Sequence, residues 1–190
     1  LPAGLQRGAF DKVVRKPIEK SPALAHALLP LLDARSELYK AFLELDRRVR
    51  AIADKDEICR LLRTIPGVGY ITSLTFKAAV DDPGRFKRSK TVAAHFGLTP
   101  RRTQSGERDI QGHISKSGDS EVRSALYSAA NSMMTRAAAW SSLKVWGTKL
   151  IEAKGRRRGL VAVARKLAVI MHRMWIDGTP FSHGALEKSK

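Results

Sequence analysis

The sequence predicts an all-α, mostly helical protein. Three observations lead there. From Leu38 onward the apolar residues Leu38, Phe42, Leu45, Val49 and Ile52 are spaced four, three, four and three apart, a heptad seam. The stretch Ser120–Ala139 puts Val122, Leu126, Ala129, Ala130 and Met133 on one face of a helix. Only one segment, 98–119, is polar, glycine-punctuated and partly alternating, as a loop or small β-hairpin would be.

The elements follow in order. Residues 1–22 are basic and hold Pro2, Pro17 and Pro22, which suits an extended or short helical lead-in. A long helix starts at about Leu28, with Pro30 tolerated in its first turn. Charged residues from Arg35 to Arg50 flank its seam, so it is either an amphipathic helix of its own domain or, as favoured here, a hairpin or coiled coil that joins two protomers. It continues through Glu57 to Arg63 and stops at Thr64-Ile65-Pro66-Gly67-Val68-Gly69. Tyr70–Val80 is apolar enough for a helix, Asp81-Asp82-Pro83-Gly84 is a turn, and Ser89 reads as the N-cap of a short helix ended by Gly97. After Ser120–Ala139 come a helix over Trp140–Ala153, a basic joint Gly155–Gly159, a last core helix Leu160–Trp175, and a loose tail after Gly178. The expected organisation is a lead-in with a coiled-coil-like helix (1–57), a compact helical domain (58–180) and a flexible tail (181–190).

Charge bounds the function. Thirty-five lysines and arginines, 35 in all against 18 acidic residues, give a net charge of +17. Such an excess attracts polyanions, and nucleic acid is the commonest in a cell. A membrane surface is the rival, but charge interrupts every long apolar stretch, so no segment reads as membrane-spanning. Cys59 is the single cysteine, which excludes an internal disulfide and a cysteine zinc site and fits a reducing cytoplasm. The start, Leu1-Pro2-Ala3-Gly4, has neither an initiator Met nor a signal-peptide pattern and reads as the interior of a longer chain.

Four motifs suggest chemistry. Ile65-Pro66-Gly67-Val68-Gly69-Tyr70-Ile71 between two helices has a helix-hairpin-helix signature, in which Gly67 and Gly69 let the backbone N–H groups of the second helix approach a phosphate. Phe86-Lys87-Arg88-Ser89-Lys90 extends that cationic surface. In 97–119, Ser105, Ser115 and Ser117 lie among Arg101, Arg102, Arg108 and Lys116, with Arg123 one turn into the next helix. Cations of this kind offset the charge that builds on a phosphoryl group under attack by a hydroxyl, and from chemistry alone the three serines are equally eligible. His113 is the nearest base, better read as a surface or structural histidine. Fourth, Lys154-Gly155-Arg156-Arg157-Arg158-Gly159 is either a phosphate grip or a solvated loop. Asp81, Asp82, Asp109 and Asp119 lie in turns without metal-site patterning, so no autonomous two-metal nuclease and no cofactor are expected in this chain.

Taken together, Leu62 to Gly69, Phe86-Lys87-Arg88-Ser89, Ala93-Ala94-His95-Phe96-Gly97-Leu98-Thr99-Pro100, Gln104-Ser105-Gly106, Ile114 to Asp119 and Val122 to Leu126 resemble the C-terminal transposase domain of the IS110 family, the bridge-RNA-guided serine recombinases of bacterial insertion sequences. The resemblance covers about residues 58 to 180, and the preceding helix resembles the family's coiled-coil insertion. It implies DNA transposition or site-specific recombination, a bridge RNA and DNA as partners, and homo-oligomers formed through the coiled-coil helix. It implies a serine that links transiently to DNA, here Ser105, with Ser115 as the weaker match. It also implies a RuvC-like domain holding Mg2+ that this chain does not contain, and a cytoplasmic, nucleoid-associated setting. The rival reading is a non-catalytic helix-hairpin-helix module that binds DNA or RNA by its backbone.

Overall fold

A computed structural model describes residues 9–105, 108–136 and 140–184; for 102–105 and 108–111 it describes the backbone alone. The described residues form eight α-helices, a short 3-10 turn and one two-stranded hairpin, so the fold is mostly helical as predicted. Two units divide the chain between Val49 and Arg50.

In the first unit, α1 (Phe10–Glu19) turns the predicted lead-in into a regular helix. Helix α2 (Pro22–Lys55) then begins at Pro22, well before Leu28. Proline is pre-set for the first helical position, and the carbonyl of Ser21 accepts the first helical hydrogen bond from Ala25 at 2.8 Å. Pro30 therefore lies in the helix interior, where it removes one backbone hydrogen bond, and not in the first turn. Arg15 pairs with Asp33 at 2.6 Å and Arg35 with Asp11 at 2.7 Å, an opposite chain order that suits an antiparallel helical hairpin.

The second unit starts on the last turns of α2. The predicted unbroken run to Arg63 is interrupted at Asp56, whose backbone is extended. The cause is a cap: the Asp56 carboxylate accepts the Cys59 N–H at 2.9 Å and opens a new helix, α3 (Glu57–Leu62). Lys77 Nζ reaches the same carboxylate. Burial would raise the Asp56 pKa, but the Lys77 and Cys59 hydrogen bonds prevail and hold it below the ordinary carboxylate value. Burial, with the Asp56 charge nearby, pushes the Cys59 thiol up.

Helix α4 (Tyr70–Val80), the 3-10 turn Pro83–Arg85 and α5 (Ser89–His95) follow. Ser89 is not an N-cap. It is the first residue of α5, and its hydroxyl is used elsewhere. Strands β1 (Pro100–Ser105) and β2 (Arg108–Ile114) pair antiparallel, with Ser105 opposite Arg108 and a register irregularity between Pro100 and Arg102. Helix α6 (Ser120–Thr135) is capped by Asp119, which accepts the Glu121 N–H at 2.7 Å, and α7 (Ser142–Lys154) by Ser141. Ala137–Ala139, predicted as the end of α6, lie outside the described residues.

The predicted basic joint shrinks to Gly155, whose φ of +80° suits glycine best. Arg156 already begins α8 (Arg156–Asp177). This helix packs against α3, α5, α6, α7 and the 3-10 turn. Its buried face (Leu160, Val163, Leu167, Met171) meets Leu62, Phe76, Val92, Phe96, Leu126 and Met133 in one core. Phe76 and Phe96 meet there as a tilted ring pair 5.9 Å apart, an arrangement that adds about 0.5–1.5 kcal/mol to area burial. The start of the predicted tail is tied down: Phe181 N–H donates to Thr64 Oγ1 at 3.0 Å, and the His183 carbonyl accepts the Ser142 N–H at 2.9 Å. Residues 185–190 lie outside the described part.

Candidate nucleic-acid interface

The turn between α3 and α4 gives its two glycines different jobs. Gly67 has φ +90°, and a Cβ there would lie 2.7 Å from both the Ala129 carbonyl oxygen and the Met133 nitrogen of α6. Its need for glycine is thus met by helix packing. Gly69 is exposed and extended, with open space where a Cβ would project. It precedes the first turn of α4, whose leading N–H groups have no partner within the helix. Arg50 lies 4.5 Å over the ring of Tyr70, the first residue of that turn.

The 97–119 segment closes into a docked loop. Ser115 N–H donates to the Thr99 carbonyl at 2.8 Å and Lys116 N–H to the Gly97 carbonyl at 3.1 Å. Lys116 takes a positive φ of 56°, uncommon for a side-chain-bearing residue. Arg123 Nη1 lies 2.9–3.4 Å from the carbonyl oxygens of Phe96, Ser117, Gly118 and Asp119 and so braces the loop. Ser115 Oγ and Ser117 Oγ are hydrogen-bonded to each other at 2.9 Å, and Arg101 Nη2 donates to the Ser115 carbonyl at 3.0 Å. Ser105 ends β1, beside the hairpin tip. The side chains of Ser105, Arg102 and Arg108 lie outside the described ones. Lys87 and Arg88 are exposed immediately before α5.

A groove runs between the hairpin and the α7–α8 corner, with a volume of about 740 Å³. Lys116, Lys154, Arg157, Arg158 and Arg165 line it, all exposed, with His113 beside them. Leu98, Pro100, Ile114, Leu150 and Val161 supply apolar surface, and none of the described residues that line it is acidic. Among the described residues none of the five cations pairs with a carboxylate. Each cation is therefore available to an anion at little cost in broken contacts. The sequence marks Lys116 and the Lys154–Gly159 run separately. It gives no sign of Arg165, or that the two motifs share a cleft, because the contact joins segments about forty residues apart.

Two of the four acids expected in turns act as side-chain caps: Asp82 accepts the Gly84 N–H at 2.8 Å, and Asp119 caps α6; Asp109 lies on β2 and not in a turn. Among the described residues no group of three or more His, Cys, Asp or Glu could hold a metal ion. Nor, among them, is any helix long and apolar enough to cross a membrane.

Residues 59–145 match the model of the Transposase IS116/IS110/IS902 family. The chain is 35% identical over 129 residues to the transposase for insertion sequence element IS1111A of Coxiella burnetii, covering 67% of this chain and 35% of that protein. It is 30% identical over 165 residues to the transposase for insertion sequence element IS1328 of Yersinia enterocolitica (86% and 49%). It is 33% identical over 124 residues to the pilin gene-inverting protein of Moraxella bovis (64% and 38%). The chain spans about a third to a half of the length of these curated relatives. The family match encloses the α3–α4 turn, the hairpin and the docked loop, and stops before α8.

Proposed function

Since residues 59–145 are a transposase domain of the IS116/IS110/IS902 family, we propose that the chain serves DNA transposition or site-specific recombination, as the DNA-gripping and serine-bearing part of an insertion-sequence transposase. The observation that carries this reading is the family match, which encloses Ser105 and its flanking cations.

In this reading Ser105 Oγ attacks a phosphodiester phosphorus. The hydroxyl loses its proton, a P–O bond to the deoxyribose oxygen breaks, and that oxygen leaves as a free hydroxyl once protonated. The DNA is then held as a phosphoserine ester. Arg101, Arg102, Arg108 and Lys116 stabilise the charge on the phosphoryl oxygens, and Lys87, Arg88 and the N–H groups after Gly69 position the backbone. Arg123 acts through the loop it braces. Ser105 is preferred to Ser115 because the Gln104-Ser105-Gly106 step after Thr99-Pro100 is the better match to the family's motif. A RuvC-like domain supplies Mg2+, and a bridge RNA supplies sequence choice. Protomers meet through the α2 seam, where Leu38, Phe42 and Leu45 are 72%, 53% and 59% exposed.

The test is a covalent adduct between protein and DNA, formed by the full transposase with its DNA and RNA. Ser105→Ala abolishes it and keeps DNA binding, while Ser115→Ala retains it. An adduct that persists in Ser105→Ala overturns the assignment and favours a binding module.

A further inference from the structure

The cleft between the hairpin and the α7–α8 corner lies partly outside the family match, and the proposed serine step does not require its α8 wall. We propose that this cleft is a channel for a single nucleic-acid strand, with its phosphates on Lys116, Lys154, Arg157, Arg158 and Arg165 and its bases toward the apolar lining. The proposal rests on the reading of this chain as a DNA-handling transposase.

Three properties point to that ligand. Among the described residues the charge is of one sign, with no acid in the lining and no carboxylate partner for the five cations. The lining is also apolar in part, through Leu98, Ile114, Leu150 and Val161. A duplex shows a protein mainly phosphates and groove edges, and would leave that surface uncovered. A single strand turns its base faces outward and can cover it while its backbone tracks the cations. Finally, about 740 Å³ falls within the about 300–1,000 Å³ of ordinary ligand clefts, room for a few nucleotides and not for a duplex turn. Deoxyribo- and ribonucleotide strands share this chemistry.

The test uses the whole chain and fluorescence anisotropy with a 12-nucleotide DNA strand, the same RNA strand and the DNA duplex. The cleft variant is Arg157→Ser with Arg158→Ser, and Arg165→Ser repeats the test from the middle of α8. The control, Arg136→Ser with Lys149→Ser, removes the same charge from exposed positions outside the cleft. Circular dichroism checks that each variant folds. The cleft variant loses about tenfold or more in single-strand affinity, and its log–log salt slope falls by about 1.4, since two phosphate contacts disappear. The control and the duplex change by less than about threefold. Selective loss with RNA assigns an RNA strand, and selective loss with DNA assigns a DNA strand. Equal losses in cleft variant and control, or an equal loss for duplex, overturn the channel and leave the transposase reading standing. If the wild-type chain binds no nucleic acid at all, the transposase reading fails first.

Discussion

Ser89 Oγ donates a hydrogen bond to His172 Nδ1 at 3.0 Å, joining the start of α5 to the last third of α8. The other ring nitrogen, Nε2, lies 2.9 Å from the Pro83 carbonyl, which can only accept. The ring is therefore the Nε2–H tautomer, fully buried with both nitrogens satisfied. Ser89→Ala leaves Nδ1 without a partner and lowers stability by about 1–2 kcal/mol; His172→Ala also opens a cavity and costs about 3 kcal/mol. Urea denaturation of the two variants and their double mutant checks this. Strictly additive effects would contradict the pairing.

The two glycines of the α3–α4 turn respond differently to substitution. Gly67→Ala drives a Cβ into the α6 backbone and destabilises the fold by about 2–4 kcal/mol, read as a lowered Tm. Gly69→Leu folds normally and weakens duplex binding several-fold, to a similar degree for unrelated sequences. A loss confined to one sequence would contradict backbone contact there.

Acid weakens the α3 junction through Asp56. Its folded pKa lies below the ordinary 3.8, so its stabilising contribution is complete above that value and is lost as pH falls through the folded pKa. The wild-type chain therefore loses stability below about pH 4 more steeply than Asp56→Asn, which keeps a capping side chain without the charge. Thermal unfolding between pH 7 and pH 3 measures the difference, and parallel curves would exclude the Asp56–Lys77 charge as its source.

Replacing Leu38 and Leu45 with lysine removes two exposed seam residues. If α2 joins protomers, each lost burial weakens association by about 1.5–3 kcal/mol, so the double variant dissociates by a factor of about 100 or more. Light scattering after size exclusion reports the change. Unaltered mass at equal concentration would assign the seam to some other contact.

Periodicity made α6 and the seam of α2 legible, because one apolar face writes itself into spacing, while α4 and α8 were legible only as apolar-rich stretches. The hairpin was legible from its alternation and glycines. Other features depended on single polar atoms. Asp56 broke a run that apolar spacing alone would continue, and only its capping position three residues before Cys59 hinted at that. Ser89 looked like a cap because local sequence cannot show a histidine that arrives from α8. The docking of Phe181 and His183 relied on two backbone bonds that no composition signals. Ser105 could be placed on its strand, but the cleft could not be foreseen: its cations come from two segments that only folding brings side by side.

Helix α8 carries the cleft arginines from its first turn to its middle and the His172 anchor near its far end, without a break. Each residue of an α-helix advances the chain by about 1.5 Å and turns it by about 100°. One amino acid inserted between Arg165 and His172 would thus swing the arginines off the cleft or pull the imidazole out of its site. Related chains can vary freely in the composition of this helix's outer face, but its length is fixed. Insertions and deletions should collect at Gly155 or beyond Gly178, where the helical count does not run.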